Sequence, residues 1–269
     1  MKPFSIFNNA VRAKEIFTTL ARYGFGDLLD LLKTPLDWIP AFSSERNVEE
    51  LNIWERIRLI IEDLGPTFIK FGQILSSRPD LLPEQLINEL RKLKQNVTPI
   101  PFEKISPILD EAFDHNLNNT FSEFNQTPIA TASIGQVYKA TLKSNGKTVA
   151  VKVQRPKVKK EIEADIEIIS WIIKKLHQNL NVVKPYDLPG VIEEVKQGLL
   201  DELDFEIEAH HSTLFNTLNP YSEEIFAPKI EDEFSSSKVL VMEWVEGESP
   251  LEAKRTEEIS KQLAATGAR

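Results

Sequence analysis

The chain has 269 residues, of which 41% are hydrophobic and 27% are charged; this supplies a sizeable folded core and excludes a disordered chain. It contains no cysteine, which excludes disulfide bonds, thiolate metal sites and cysteine nucleophiles. The net charge of −9 is concentrated in residues 201–269, where 16 side chains are acidic and 6 are basic. An acidic surface repels phosphate, so no nucleic-acid partner is predicted.

No targeting or membrane-spanning segment is predicted. Residues 1–17 lack both the uninterrupted apolar stretch and the small-residue cleavage site of a secretory signal. No apolar run reaches the roughly 18 residues that are needed to cross a bilayer. We therefore expect the protein in the cytoplasm or at the periphery of a membrane.

The first 115 residues are predicted to be helical. A stripe formed by Ile6, Ala10, Ala13, Phe17 and Leu20 is typical of a helix packed on the rest of the protein, and an interfacial membrane helix is the alternative. Apolar periodicity predicts four further helices, the first of which is ended by a Gly-Pro pair. They are expected near residues 53–64, 67–77, 86–93 and 105–112.

The pattern changes from helix to strand at Phe121. Two segments rich in β-branched residues, 134–142 and 148–154, are predicted to be strands. The Asn145-Gly146 pair between them favours a tight hairpin, because these residues accept positive φ. Periodicity then predicts a helix containing residues 162–176, one long helix from Pro189 to Phe215, a strand over 239–245 and a helix over 251–265. This order indicates an α+β fold.

A loop of small residues, followed by a lysine on the next strand, is the pattern that is most informative about chemistry. Small side chains let backbone N–H groups approach phosphate oxygens, and the lysine adds a positive charge. Ala150, two residues before Lys152, leaves room for a flat ring. Alone, an alternating strand with one polar residue is usually just a half-buried strand, but the loop, hairpin and lysine in this order predict a nucleotide site. Its predicted contacts are Ala130, Thr131, Ala132, Ser133, Gly135, Val137, Ala150 and Lys152.

Five acidic residues between Asp201 and Glu208 are candidates to neutralise Lys152. A buried ammonium group needs a counter-charge, so one of the five is predicted to pair with it. A solvated acidic helix face is the alternative interpretation.

Residues 241–247 then indicate a strand leading to a turn. This segment resembles the hinge of protein kinases, which implies Met242 as gatekeeper and the Glu243 carbonyl and Val245 N–H as contacts of adenine.

With these elements in order, the chain resembles the UbiB family, also called AarF or ADCK, of atypical kinase-like proteins. The most specific element is Lys70-Phe71-Gly72-Gln73, which is similar to the family's K-x-G-Q signature. By themselves these residues indicate only a polar helix face on which Gly72 permits the close approach of another backbone. The phosphate loop also resembles the family's, with alanines in place of glycines and only Gly135 kept.

The resemblance implies a protein-kinase-like N-lobe of antiparallel sheet plus helices, preceded by a helical extension whose K-x-G-Q helix folds over the nucleotide site. It implies functional roles for Lys70 and Gln73. In the family the K-x-G-Q motif pairs with an E-x-D motif, which matches Glu202-Leu203-Asp204 here. The glutamate that pairs with the strand lysine, Lys152, matches Glu208, with Glu206 as the fallback.

The resemblance also divides the chain into a helical extension over residues 1–115, an N-lobe and hinge over 116–247, and the start of a C-lobe over 248–269. Phosphoryl transfer in kinases uses an H-x-D-x-x-x-x-N loop and a D-F-G aspartate, and neither motif occurs in the sequence. The chain is therefore expected to be inactive alone. A truncated gene product is the simplest account, and a deliberately shortened chain or one half of a split protein are the others.

Taken together, the sequence predicts the ATP- or ADP-binding portion of an atypical kinase or ATPase, which the resemblance links to isoprenoid quinone or prenyl-lipid metabolism. Prenyl lipids or a membrane surface are the implied partners beside the nucleotide. No metal ligands are predicted in this chain, and Mg²⁺ is expected to be held mostly by residues that it lacks. The alternative is a non-catalytic scaffold that binds nucleotide or lipid.

Overall fold

A computed structural model of the protein describes residues 9–32, 50–93, 98–181, 184, 187–247 and 256–267. The chain forms two compact units, each built from three chain segments. The first unit comprises residues 1–98, 132–134 and 157–201, and the second comprises 99–131, 135–156 and 202–269. The division predicted from the sequence, at residues 115 and 247, stays a prediction.

The first unit is helical. Its elements are α1 (Ala10–Arg22), α2 (Gly26–Leu31), α3 (Ile53–Leu64), α4 (Pro66–Ser76), α5 (Glu84–Leu90), α8 (Val158–Asn179) and α9 (Leu188–Asp201). A capping box of Asn52 and Glu55 starts α3. Gly65 ends it with a φ of +92°, and Pro66 then occupies the first turn of α4.

The core of the first unit is apolar and is shared by all of its long helices. Ala13, Ile16 and Phe17 of α1 are buried in it together with residues of α3, α4 and α8. This burial agrees with the interpretation of α1 as a helix packed on the rest of the protein. The predicted stripe residue Ile6 lies outside the described residues.

An ion pair between Arg12 and the buried Asp165 joins α1 to α8 within this unit; the Arg12 side chain is 26% exposed. Nε of Arg12 lies 2.6 Å from Oδ1 of Asp165, and Nη2 of Arg12 lies 3.0 Å from Oδ2. The same Nη2 donates to the carbonyl of Leu64, at the end of α3, over 2.8 Å. The Asp165 side chain is only 2% exposed. Burial raises the pKa of the Asp165 carboxyl, and the hydrogen bond and charge of Arg12 partly offset that rise.

The second unit is built on an antiparallel sheet. Its elements are α6 (Phe102–Ala112), α7 (Leu117–Thr120), β1 (Phe121–Phe124), β2 (Ala130–Thr131), β3 (Gly135–Leu142), β4 (Thr148–Gln154), α10 (Phe205–Leu218), β5 (Val239–Glu243) and α11 (Glu257–Gly267). The strand order is β1-β3-β4-β5, and β2 pairs with β3. The predicted hairpin joins β3 to β4, with Gly146 at a φ of +70°.

The buried face of this sheet packs against α6. Tyr138, Val151 and Val241 lie side by side on β3, β4 and β5 and are fully buried. Gln136 is also fully buried, and it is satisfied by the backbone N–H and C=O of Ile100 and by the Tyr138 hydroxyl. The side chain therefore fixes the segment that precedes α6 against the sheet.

The single long helix predicted from Pro189 to Phe215 is wrong, because the chain breaks there into α9 and α10. Oδ1 of Asp204 accepts a hydrogen bond from the N–H of Glu206 over 3.0 Å and so caps the N-terminus of α10. The short strands β1 and β2 were not predicted individually. The predicted helix at 251–265 is observed as α11 from Glu257, and residues 251–255 lie outside the described residues.

Within the described ranges, no helix has the length and apolarity needed to cross a bilayer.

Candidate functional site

The face of the sheet that carries Lys152 differs from the buried face. Along β4, Val149, Val151 and Val153 are fully buried, whereas Ala150 and Lys152 between them are only half-buried. The register places one row of three side chains at Lys152 and a second row at Ala150. We call this the lysine face; it comprises Val137, Lys152 and Leu240 in the first row and Lys139, Ala150 and Met242 in the second.

A salt bridge between β4 and α10 fixes the position of Lys152. Its Nζ lies 2.5 Å from Oε2 of Glu208 and 4.6 Å from the centroid of the Phe205 ring. The Lys152 side chain is 17% exposed and that of Glu208 is 43% exposed, so the pair is partly shielded from water. The pairing of Lys152 with Glu208 is the one that the family resemblance implies, and the fallback residue Glu206 is exposed.

The start of α10 is what brings Glu208 to Lys152. The N-terminus of α10 is capped by Asp204, and the N–H of its first residue, Phe205, donates to the carbonyl of Ser237 over 3.1 Å. Just before the helix, the carbonyl of Leu203 accepts a hydrogen bond from Nε2 of Gln154 over 2.7 Å. Asp204 therefore has a clear local role as a cap, while Glu202 is half-buried beside it.

The predicted phosphate loop is divided between the two units. Ala130 and Thr131 form β2 opposite Val137 and Gln136. Ala132 and Ser133 belong to the first unit, and Gly135 opens β3 in the second.

Gly135 lies close to the backbone of β4. A Cβ at this position would lie 2.9 Å from the backbone oxygen of Val153 and 3.4 Å from Cζ of Phe205. The glycine is therefore explained by the close approach of β4 and α10.

The hinge predicted at Met242, Glu243 and Val245 continues from β5. Met242 lies beside Ala150 on the lysine face. The N–H of Glu243 donates to the carbonyl of Lys229 over 2.8 Å, and the N–H of Trp244 donates to that of Thr148 over 3.3 Å. These two bonds hold the backbone on either side of the predicted Glu243 carbonyl contact.

Sequence reasoning missed Lys139 and Trp244. Nζ of Lys139 lies 4.2 Å from the centroid of the Trp244 indole, and Nε1 of Trp244 donates to Oε1 of Glu246 over 2.7 Å. The only signal in the sequence was the alternation of side chains along a strand. Trp244 is two residues after Met242 and Lys139 is two after Val137, so each lies on the same face as its neighbour. That signal has meaning only once the register of the strands is known.

Lys70 and Gln73 lie on α4 of the first unit. Nε2 of Gln73 donates to the carbonyl of Leu93 over 3.4 Å. A Cβ at Gly72 would lie 2.5 Å from Cδ1 of Leu93 and 3.3 Å from Cδ2 of Leu90. The group that approaches Gly72 is thus a pair of leucine side chains instead of the expected backbone. The folding of this motif over the nucleotide site, and its pairing with Glu202 and Asp204, stay predictions.

Among the residues that the structure describes, no three or more His, Asp or Glu side chains are grouped so as to hold a metal ion. The predicted Mg²⁺ therefore stays a prediction.

Residues 92–267 match the family model of the ABC1 atypical kinase-like domain. A probable protein kinase UbiB of Shewanella baltica is 34% identical over 249 residues, which are 88% of this chain and 44% of the relative. An uncharacterized, chloroplastic aarF domain-containing protein kinase of Arabidopsis thaliana is 39% identical over 195 residues, which are 71% of this chain and 28% of the relative.

A solved Mycobacterium tuberculosis protein in complex with erythromycin is 30% identical, with a TM-score of 0.49 over 65% of this chain and 44% of that one. The chain thus spans less than half the length of each of these proteins.

The predicted fold class, an antiparallel sheet plus helices of the protein-kinase-like type, is confirmed by the sheet and by the family match. The chain belongs to the ABC1 family of atypical kinase-like domains, to which the proteins named UbiB and aarF are related.

Proposed function

We propose that the lysine face of the second unit binds an adenine nucleotide, ATP or ADP. The salt bridge between Lys152 and Glu208 is the observation that carries this proposal. An ammonium group has three N–H donors, and Glu208 takes one of them. The remaining donors stay available to phosphate oxygens, on a side chain whose position the carboxylate fixes.

The neighbouring row of the lysine face suits the base of a nucleotide. Ala150 is small, Met242 lies beside it on β5 with an apolar side chain, and the apolar Val137 lies in the adjoining row, opposite Lys152. Residues two apart on a strand are separated by about 6.6 Å, so a flat ring over Ala150 has its phosphates within reach of Lys152. The Glu243 carbonyl and the Val245 N–H supply an acceptor and a donor for the edge of adenine.

For the whole protein we propose phosphoryl transfer or ATP hydrolysis, in keeping with the relatives named as protein kinases. A bound Mg²⁺ neutralises phosphate charge in such reactions. We assign most of its ligands to the parts of the relatives that this chain does not cover, and we expect no turnover by the chain alone. The family resemblance extends the proposal to isoprenoid quinone or prenyl-lipid metabolism at a membrane surface.

Replacing Lys152 by methionine is expected to weaken the binding of ATP about 10- to 100-fold, because a charge-assisted hydrogen bond to phosphate is lost. The measurement is the thermal stability of the protein against ATP concentration. A ligand present at about 100 times its Kd stabilises a protein by about 2.7 kcal/mol, which is readily detected. Methionine keeps the length of the side chain, so the packing on Phe205 is disturbed little.

Lys147→Met is the matched control. Lys147 is a lysine of the same hairpin that is 63% exposed and pairs with Glu231 over 3.2 Å. We expect its response to ATP to equal that of the wild type. The proposal is refuted if neither ATP nor ADP stabilises the wild-type chain, and the expectation of inactivity is refuted if the chain hydrolyses ATP in a Lys152-dependent way.

A further inference from the structure

We infer that Lys139 is a positioning residue for the hinge, which holds Trp244 and thereby the Glu243 carbonyl and the Val245 N–H in place. The assignment of these two groups to a nucleobase rests on the function proposed above. The mechanical part of the inference, that Lys139 holds Trp244, rests on contacts within the second unit alone.

The lysine face brings Lys139 and Trp244 together. Lys139 pairs with Ala150 across β3 and β4, and Met242 pairs with Ala150 across β4 and β5. Trp244, two residues beyond Met242, falls on the same face because side chains alternate along a strand. The Lys139 ammonium lies 4.2 Å from the indole centroid, well within the roughly 6 Å over which a cation–π contact is effective.

A second contact strengthens the first. The indole N–H of Trp244 donates to the Glu246 carboxylate over 2.7 Å. A carboxylate acceptor polarises the N–H bond and shifts electron density into the ring, whose attraction for the lysine then increases. The ring is thus held by a cation at its face and an anion at its edge.

Among the residues that the structure describes, the rest of this segment after Trp244 is exposed. The side chain of Val245 is 44% exposed, and Glu246 and Gly247 are exposed. The Trp244 N–H bond to the Thr148 carbonyl is 3.3 Å long, which is at the weak end of the range. The two proposed base-contacting groups flank Trp244 directly, so a rotation of the Trp244 backbone moves both of them.

Hydrogen exchange of the nucleotide-free protein tests the mechanical part. In Lys139→Met the Trp244 amide is expected to exchange about 3- to 10-fold faster than in the wild type, because the cation–π contact is lost. Lys139→Arg, which keeps a cation over the ring, is expected to restore most of the protection. Lys147→Met serves again as the matched control. The inference is overturned if the Trp244 amide exchanges equally fast in Lys139→Met and in the wild type.

A binding experiment tests the consequence for the base. Lys139→Met is expected to bind ATP about 3- to 10-fold more weakly than the wild type and to bind inorganic tripolyphosphate, which has no base, with unchanged affinity. Equal losses for both probes would indicate a general disturbance of the unit and would overturn the inference. If the wild type binds neither probe, the proposed function fails, and the exchange experiment still decides whether Lys139 holds Trp244.

Discussion

Replacing Arg12 by alanine is expected to lower the free energy of unfolding of the first unit by about 3–5 kcal/mol, the usual cost of leaving one member of a buried ion pair without its partner. Both carboxylate oxygens of Asp165 bond to the Arg12 guanidinium, and the aspartate side chain is 2% exposed. The same change leaves the Leu64 carbonyl without that donor. Urea unfolding followed by tryptophan fluorescence measures the loss.

The loss of stability in Arg12→Ala is expected to depend on pH. Burial raises the pKa of Asp165 above its ordinary value of 3.8. The carboxyl of Asp165 therefore keeps its proton to a higher pH in the native state than in the unfolded chain. Its contribution to the free energy of unfolding falls as the pH rises from the pKa of the unfolded state through the pKa of the native state. Without Arg12 the larger part of the offset to burial is lost and only the hydrogen bond with Thr67 remains. We therefore expect the difference in stability between Arg12→Ala and the wild type to be largest at neutral pH and smaller near pH 4.

Arg22→Ala is the control for an exposed ion pair. Arg22 lies 3.4 Å from Asp63, with side chains that are 40% and 27% exposed, and its removal should cost less than about 1 kcal/mol. A double variant, Arg12→Met with Asp165→Leu, should regain most of the stability because no buried charge remains. A loss for Arg12→Ala that is no larger than that for Arg22→Ala would show that water reaches Asp165.

Replacing Gln136 by leucine is expected to destabilise the second unit by about 2–4 kcal/mol. Leucine has a similar volume but satisfies none of the groups that Gln136 serves, which are the N–H and C=O of Ile100 and the hydroxyl of Tyr138. Each buried polar group left without a partner costs about 1–3 kcal/mol. Because Tyr138 is fully buried, its hydroxyl has no access to solvent as a substitute.

Two further variants make this measurement specific. Gln126→Leu applies the same exchange at an exposed position and should change the stability by less than about 0.5 kcal/mol. Tyr138→Phe removes only the hydroxyl and should cost about 1 kcal/mol. If Gln136→Leu is as stable as the wild type in urea unfolding, the Ile100 segment is not held by this side chain.

The parts of the structure that were predictable from sequence are those with a local signal. The strand at Thr148–Gln154 follows from β-branched alternation, and the hairpin before it follows from Asn145-Gly146. The pairing of Lys152 with Glu208 was identified through the family resemblance, since the acidic cluster alone offered five candidates.

The missing parts depend on contacts between residues that are distant in sequence. Apolar periodicity runs on through Leu203 and Phe205. The break between α9 and α10 is held by the Asp204 cap and by two bonds to residues distant in sequence, from Gln154 to the Leu203 carbonyl and from the Phe205 N–H to Ser237. Arg12 and Asp165 are 153 residues apart, and no local pattern pairs them. Lys139 and Trp244 required the register of three strands.

Gly135 limits how this sequence can drift during evolution. A Cβ at this position would lie 2.9 Å from the backbone oxygen of Val153, which leaves no space for a methyl group. Any other amino acid there is expected to push β3 away from β4 at Val153, the residue that follows Lys152. A substitution at this one position is thus expected to shift the strand that carries Lys152 without altering Lys152 itself.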